Sequence, residues 1–123
     1  KCHPMFHHEY ALSKLHKDGF KIAVCSNSVR KTIELMMEKA KLTQYIDLIL
    51  SNEEVKKSKP DPEIYNLAIS TFGFKPEECL VVEDNPHGIQ AGRASGANVL
   101  EVATVYDVNE DNIYRMIEEC EKK

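Results

Sequence analysis

Short apolar runs alternate with longer amphipathic stretches along the whole chain. Four of the runs are nearly continuous and only five residues long, at residues 21–25, 46–50, 79–83 and 98–102. Runs of this length, bounded by turn residues, are typical of strands that are buried on both faces. We therefore predict four strands, and we expect them to run in parallel because a helical stretch separates each from the next.

The first two helical stretches flank the first strand. The stretch "HHEYALSKLHKDG" has apolar residues at helical spacing and closes at Gly19, which predicts a helix with a glycine stop. The stretch "VRKTIELMMEKA" follows the strand, and Ser28 is its candidate N-cap. Its predicted apolar face consists of Ile33, Met36, Met37 and Ala40.

Three further helices complete the pattern. For the third, Asp61 is the predicted N-cap, Pro62 the first helical residue and Gly73 the end. The fourth is the short stretch "NPHGIQAGRASG", which stops at Gly96, and the fifth is "NEDNIYRMIEECEKK". The order of elements predicts an α/β fold in which helices cover both faces of a parallel sheet. In such sheets ligands bind at the carboxyl ends of the strands.

Composition narrows the class of protein. The 123 residues suit one domain, and 42% hydrophobic with 29% charged residues is ordinary for a globular protein. The net charge of −4 gives no electrostatic footprint for nucleic acid. No apolar run approaches the length of a membrane span, and no signal peptide is recognisable, so we expect a cytoplasmic protein. The four cysteines form no CxxC pair, which favours reduced thiols.

Two sets of polar residues are expected at or near the carboxyl edge of the predicted sheet. Ser26 and Asn27 come directly after the first strand, where hydroxyl, amide and backbone N–H groups can bind an anion. The alternative is that this segment only caps a helix. Lys59 precedes Pro-Asp-Pro and could neutralise a phosphate from a stiff loop, although a solvated lysine beside Lys56 and Lys57 is the alternative.

Paired acids end the third strand. Glu83 and Asp84 offer hard oxygen ligands that suit Mg²⁺, which commonly takes one or two carboxylates and keeps several waters. The alternative is that Asp84 caps the next helix while Glu83 is an ordinary exposed acid. A helix cap explains one acid at a strand end better than it explains two.

Three stretches, in this order and on these elements, resemble the haloacid dehalogenase superfamily of phosphohydrolases and phosphomutases. "VCSNS", "KPDPEIY" and "VVEDNPHGIQAGRASGANVLEV" resemble its second, third and fourth motifs, and the resemblance covers roughly residues 4–105. The Glu-Asp pair is most similar to the β-phosphoglucomutase-like branch, whose helical cap domain is inserted early in the chain. The resemblance implies a Rossmann-like fold, with residues 1–123 as the C-terminal part of the core domain.

The resemblance also implies a role for each candidate residue. Ser26 would hydrogen-bond the transferring phosphoryl group with the Asn27 backbone N–H beside it, and Lys59 would neutralise charge and orient the nucleophile. Asp84 would bind Mg²⁺, with Glu83 as a helper ligand directly or through water. The substrate would be a small phosphorylated metabolite, and the reaction would pass through an aspartyl-phosphate.

One family motif has no counterpart in the sequence. The family's first motif is an Asp-x-Asp after an apolar strand, and none of the aspartates of this chain is part of such a motif. In the family fold that strand lies between the strands that end here at Ser26 and Glu83. We therefore expect the chain to be part of a larger protein, or to receive the missing segment from another chain, and to be nearly inactive alone.

Two other classes of protein remain as rivals. A non-catalytic binding or regulatory module would keep the fold without the nucleophile, although it would have no need of Ser26, Lys59, Glu83 and Asp84 together. A receiver-like domain is the weaker rival, because it needs an early aspartate at a strand end and here the acids come late. Unpaired strand edges would also invite self-association.

Overall fold

The computed structural model describes residues 6–102 and 110–121, with side chains over 11–102 and 112–119. Five helices and four strands alternate along these residues, in the predicted order. They are α1 (Phe6–Lys17), β1 (Ala23–Cys25), α2 (Arg30–Lys39), β2 (Leu48–Leu50), α3 (Glu63–Phe72), β3 (Leu80–Glu83), α4 (Pro86–Ala94), β4 (Asn98–Glu101) and α5 (Glu110–Glu121). Short 3₁₀ turns at Thr43–Tyr45 and Pro76–Glu78 precede β2 and β3.

All strand pairing is parallel, as predicted, but the strands form two separate pairs. β1 pairs with β2, from Ala23 opposite Leu48 to Cys25 opposite Leu50. β3 pairs with β4, from Leu80 opposite Asn98 onward. Within the described residues no strand joins β1 to β3. The split lies between the strands that lead into Ser26 and Glu83, where the family resemblance places the first-motif strand.

Helices cover both faces of the strands, and successive side chains of β3 point alternately to the two layers of helices. Val81 points to a layer formed with α3 and α4, which contains Ile64 and Ala91. Leu80 and Val82 point to the opposite layer, formed with α1 and α5. Because successive strand residues face opposite sides, a nearly continuous apolar strand can serve both layers. This confirms the prediction of helices on both faces of a parallel arrangement.

Helix α4 lies unusually close to β3 and β4. A Cβ atom on Gly92 would stand 3.0 Å from Val81 Cγ1 and 3.1 Å from Val99 Cγ2. Glycine therefore allows the helix to approach the strands where a larger residue would push it outward. Small residues in the stretch "NPHGIQAGRASG" thus reflect packing against the sheet.

Helix α2 differs from its prediction at two residues. Ser28 is not the N-cap, because the helix begins at Arg30 with Val29 in the cap position and no side-chain cap. The Arg30 backbone N–H donates instead to the Glu53 carboxylate at 2.7 Å. Met36, predicted to be on the apolar face, is 46% exposed, while Ile33 is buried. Since α2 contacts the outer strand β2, it buries only a narrow stripe.

The start of α3 shifts by one residue, yet its predicted capping contact is present. The helix begins at Glu63 with Pro62 in the cap position. The Glu63 backbone N–H donates to Asp61 Oδ1 at 2.9 Å, so Asp61 still satisfies a free donor of the first turn. Gly73 ends the helix in a left-handed conformation, as predicted.

Two further expectations can be compared with the described residues. Cys25 and Cys79 are free thiols, as expected, whereas Cys2 lies outside the described residues and the side chain of Cys120 outside the described side chains. No helix within the described ranges combines the length and apolar character needed to cross a lipid bilayer.

Replacing Ile64 by alanine tests the layer between α3 and the strands. The side chain is 0% exposed, so I64A should lower the free energy of unfolding by about 2–5 kcal/mol. Equilibrium urea denaturation measures the change. The matched control is L35A on α2, where the side chain is 48% exposed and the expected loss is below about 0.5 kcal/mol. Equal losses in the two variants would contradict this packing.

Candidate active site

The predicted site residues converge at the carboxyl ends of β1 and β3. The Lys59 ammonium donates to the backbone oxygen of Cys25 at 2.9 Å and to Glu83 Oε2 at 2.6 Å. The Lys59 backbone N–H donates to Asn27 Oδ1 at 3.1 Å. Lys59 therefore joins the segment after β1 to the end of β3. The structure thus brings Asn27, Lys59 and Glu83 together, although they are distant in sequence.

Lys59 is not the solvated lysine of the alternative interpretation. Its side chain is 10% exposed, and that of Glu83 is 11% exposed. The loop that carries Lys59 is held by Glu63, whose carboxylate accepts the backbone N–H groups of Lys56 and Lys57 at 2.9 and 3.2 Å. An ammonium has three N–H donors, and two are used within the described residues. One donor remains for a further acceptor.

Glu83 is held in place from three directions. Its Oε2 accepts from Lys59 and also from the Tyr65 hydroxyl, at 2.5 Å. Above it, a Cβ atom on Gly88 would overlap the Glu83 carboxylate. The first turn of α4 can therefore lie over Glu83 only because residue 88 is glycine. The side chain is thus mostly buried and paired, in contrast to the alternative of an ordinary exposed acid.

Asp84 is exposed and does not cap α4. The cap is Asn85, whose side-chain oxygen accepts the His87 backbone N–H at 2.9 Å. The interpretation of Asp84 as the cap of α4 is therefore wrong, since Asn85 caps this helix. An exposed carboxylate at a strand end, without a structural task among the described residues, can serve as a hard oxygen ligand.

The segment after β1 presents donors at the same edge. The Ser26 backbone N–H continues the β1–β2 ladder to the Leu50 oxygen at 3.0 Å, and the Ser26 hydroxyl accepts from the Ser28 N–H at 3.1 Å. In the part of the chain that the structure describes, the hydroxyl proton of Ser26 has no acceptor. Among the described residues nothing accepts the Asn27 backbone N–H. The segment therefore offers two donors that can bind an anion.

Burial shapes the ionisation of two neighbours. It raises the pKa of the Cys25 thiol from 9.0 to about 11, although the Lys59 ammonium pulls in the other direction. Burial, and then the hydrogen bond to Glu83, raises the pKa of the Tyr65 phenol above its ordinary value. Both groups are therefore neutral near pH 7, and Tyr65 acts as a hydrogen-bond donor.

Tyr65 and Gly88 also belong to this site, although the sequence patterns did not predict this role for them. Tyr65 belongs to the apolar face of α3 with Ile64 and Ala68. A buried tyrosine on such a face usually requires a partner for its hydroxyl, and that was the available signal. The signal for Gly88 was its position in the first turn of a helix that follows paired acids.

A cleft separates β1 from β3 beneath these polar groups. Its volume is about 1100 Å³. The walls include the apolar strand residues Ala23, Val24, Leu80, Val81 and Val82. The upper rim consists of Ser26, Asn27, Lys59 and Glu83. The cleft thus has an apolar body and a polar end.

Both the sequence and the structure of this chain are similar to those of known proteins. Residues 1–102 match the family model of haloacid dehalogenase-like hydrolases. A curated relative, pyrophosphatase PpaX of Bacillus mycoides, is 30% identical over 115 residues, or 83% of this chain and 54% of the relative. The CBBY-like protein of Arabidopsis thaliana is 37% identical over 100 residues, or 76% of this chain and 30% of the relative.

Solved structures have the same fold. A proposed β-phosphoglucomutase of Thermotoga maritima superposes with a TM-score of 0.77 at 23% identity, over 91% of this chain and 52% of that chain. A subfamily IA hydrolase of Geobacter sulfurreducens gives 0.75 at 22% identity, over 81% and 51%. The chain thus spans about half the length of these structures, and about half or less of the curated relatives.

Gly88→Ala tests the close approach of α4 to Glu83. The added methyl group would displace the Glu83 carboxylate from Lys59 and Tyr65, so the free energy of unfolding should fall by about 1–3 kcal/mol. The control is Q90A on the exposed side of the same helix, where we expect little change. Urea denaturation measures both. A more stable G88A variant, as helix propensity alone predicts, would contradict the contact.

The Cys25 thiol should resist alkylation in the folded protein. With its pKa raised to about 11, little thiolate forms at pH 8, and the thiolate is the reactive species. Iodoacetamide labelling followed by peptide mass spectrometry should show Cys25 reacting far more slowly than in urea-unfolded protein, and faster as the pH rises toward 11. Labelling at equal rates in the two states at pH 8 would be inconsistent with the raised pKa of this thiol.

Proposed function

This chain belongs to the haloacid dehalogenase-like hydrolases, and we propose that it forms the C-terminal part of a Mg²⁺-dependent phosphatase or phosphomutase. The substrate would be a small phosphorylated metabolite. The observation that carries the proposal is the buried Lys59 ammonium, held by the Cys25 oxygen and Glu83 between the ends of β1 and β3. Relatives described as a pyrophosphatase and a proposed phosphoglucomutase support this class of reaction.

In this proposal the residues of the chain bind and neutralise a phosphoryl group. The Ser26 hydroxyl and the Asn27 backbone N–H donate to its oxygens, and the remaining N–H of Lys59 donates to another. Fixed donors in a partly dry site stabilise the charge that develops in phosphoryl transfer. Lys59 needs no reorganisation for this task because its other two donors are already bound.

The carboxylates present fit Mg²⁺ unequally. Asp84 is exposed and can be a direct ligand, whereas Glu83 Oε2 is occupied by Lys59 and Tyr65. We therefore assign Asp84 to the metal and expect Glu83 to reach it through water. No cluster of three His, Cys, Asp or Glu occurs among the described residues, so further ligands would come from phosphate, water or another segment. When bound, Mg²⁺ would supply Lewis-acid neutralisation of phosphate charge.

The nucleophile is proposed to come from a segment that fills the cleft. Within the described residues β1 and β3 each have an unpaired inner edge, and the apolar walls between them suit a buried strand. Backbone N–H and C=O groups on these edges need partners when buried. A parallel strand that ends in Asp-x-Asp, in cis or from another chain, would satisfy the edges. It would also place a carboxylate near Lys59, where the aspartyl-phosphate would form.

Supplying such a segment tests the function. The 123-residue chain alone should release phosphate at background rates from a panel of small phosphorylated metabolites. A fusion that carries an apolar strand and Asp-x-Asp ahead of Lys1 should show turnover that EDTA abolishes. K59M in this fusion should reduce kcat by about 10²–10³-fold, whereas K57M, which alters an exposed lysine two residues away, should leave it unchanged.

Two results would contradict the proposal. A folded fusion with background activity against the whole panel would contradict phosphoryl transfer. Mg²⁺ binding without turnover, measured by titration calorimetry, would favour the non-catalytic binding or regulatory module.

A further inference from the structure

Tyr65 contacts both members of the buried ion pair. Its hydroxyl donates to Glu83 Oε2 at 2.5 Å, and the same oxygen accepts from the Lys59 ammonium at 2.6 Å. The Lys59 Nζ atom also lies 5.0 Å from the centre of the Tyr65 ring, within the range of a cation–π contact. Tyr65 is 8% exposed. Tyr65 thus fixes the pair from one side through two different interactions.

The hydroxyl is the part that determines where Glu83 points. A glutamate side chain has several rotatable bonds, so its carboxylate can take more than one position unless contacts hold it. The Gly88 contact prevents the carboxylate from moving upward toward α4. The Tyr65 hydroxyl prevents it from turning away from Lys59, since leaving would break a charge-assisted hydrogen bond. With Glu83 fixed, two of the three N–H bonds of Lys59 point in fixed directions, toward Glu83 and the Cys25 oxygen. Because the ammonium is tetrahedral, the direction of the third N–H bond is then fixed as well.

We propose that Tyr65 is a positioning residue whose hydroxyl, through Glu83, aims the Lys59 ammonium at the phosphoryl site. This inference rests on the proposed function for the meaning of the phosphoryl site. The linkage from Tyr65 to Glu83 to Lys59 can be tested without any activity.

The variant Y65F removes the hydroxyl and keeps the ring, so packing and the cation–π contact are retained. Y114F is the matched control. Tyr114 also donates its hydroxyl to a carboxylate, Asp18 Oδ2 at 2.6 Å, but it lies on α5 and packs in the other apolar layer. Both variants would be made in the intact active fusion described above.

The first measurement is the ¹H–¹⁵N signal of the Lys59 ammonium, assigned by its loss in K59M. A buried, hydrogen-bonded ammonium exchanges slowly with water. In Y65F the exchange rate should rise about tenfold or more, with no change in Y114F. An unchanged signal in Y65F would overturn the linkage, whatever the enzymatic activity proves to be.

The second measurement is steady-state kinetics. Y65F should lower kcat about tenfold with little change in KM, and it should have little further effect in E83A, which lacks the carboxylate that links Tyr65 to Lys59. An altered Lys59 signal with unchanged kcat in an active fusion would overturn the positioning role. An inactive wild-type fusion would contradict the proposed function alone, because the NMR result would still decide the linkage.

Should Y65F fail to fold, 3-fluorotyrosine can replace the tyrosines. It keeps the ring and the hydroxyl but makes the hydroxyl a stronger donor. The Lys59 signal should then shift. Its assignment again rests on its loss in K59M and does not require the Y65F variant. A Lys59 signal that does not move would overturn the inference.

Discussion

The buried ion pair of Lys59 and Glu83 is the contact on which the arrangement of the site depends. Lys59 binds the last carbonyl of β1 and the carboxylate at the end of β3, although these strands share no ladder within the described residues. A buried charge pair is tolerable when its remaining polar atoms are also bound. The Tyr65 hydroxyl and the Cys25 carbonyl meet part of this condition, and the third Lys59 donor has no partner among the described residues. The same contacts that make the pair tolerable fix the polar end of the cleft.

The apolar layers hold the two strand pairs together below that contact. One layer contains Leu50 from β2 and Val81 from β3, so it extends across the split. The other combines Ile22, next to β1, with Leu80 and Val82. Helices therefore connect the two strand pairs, which share no backbone ladder within the described residues. Hydrophobic packing is not directional, so it can connect strands that lie too far apart for backbone hydrogen bonds.

Local sequence patterns predicted the type and order of the elements well, several of their ends only to within one or two residues, and contacts between distant segments poorly. Parallel strands end at one edge, so the positions of Ser26 and Glu83 in the sequence sufficed to predict that they lie at the same edge. The N-cap at Ser28 was wrong because a glutamate from another segment, Glu53, satisfies the helix start. Tyr65 was missed for a related reason, since its partner is 18 residues away and helical spacing alone assigns it to the core.

The gradient of polarity along the cleft restricts what can occupy it. The walls beside Ala23 and Val81 are apolar, so an occupant that carries charge there would lose hydration without compensation. At the rim, the unused donors of Lys59, Ser26 and Asn27 favour an occupant that ends in acceptors. A segment with an apolar body and a carboxylate at its end meets both conditions, whereas a uniformly apolar or uniformly charged one meets only one. In the proposed function, the donors of the rim that would bind the carboxylate of such a segment are the same ones that would bind a phosphate.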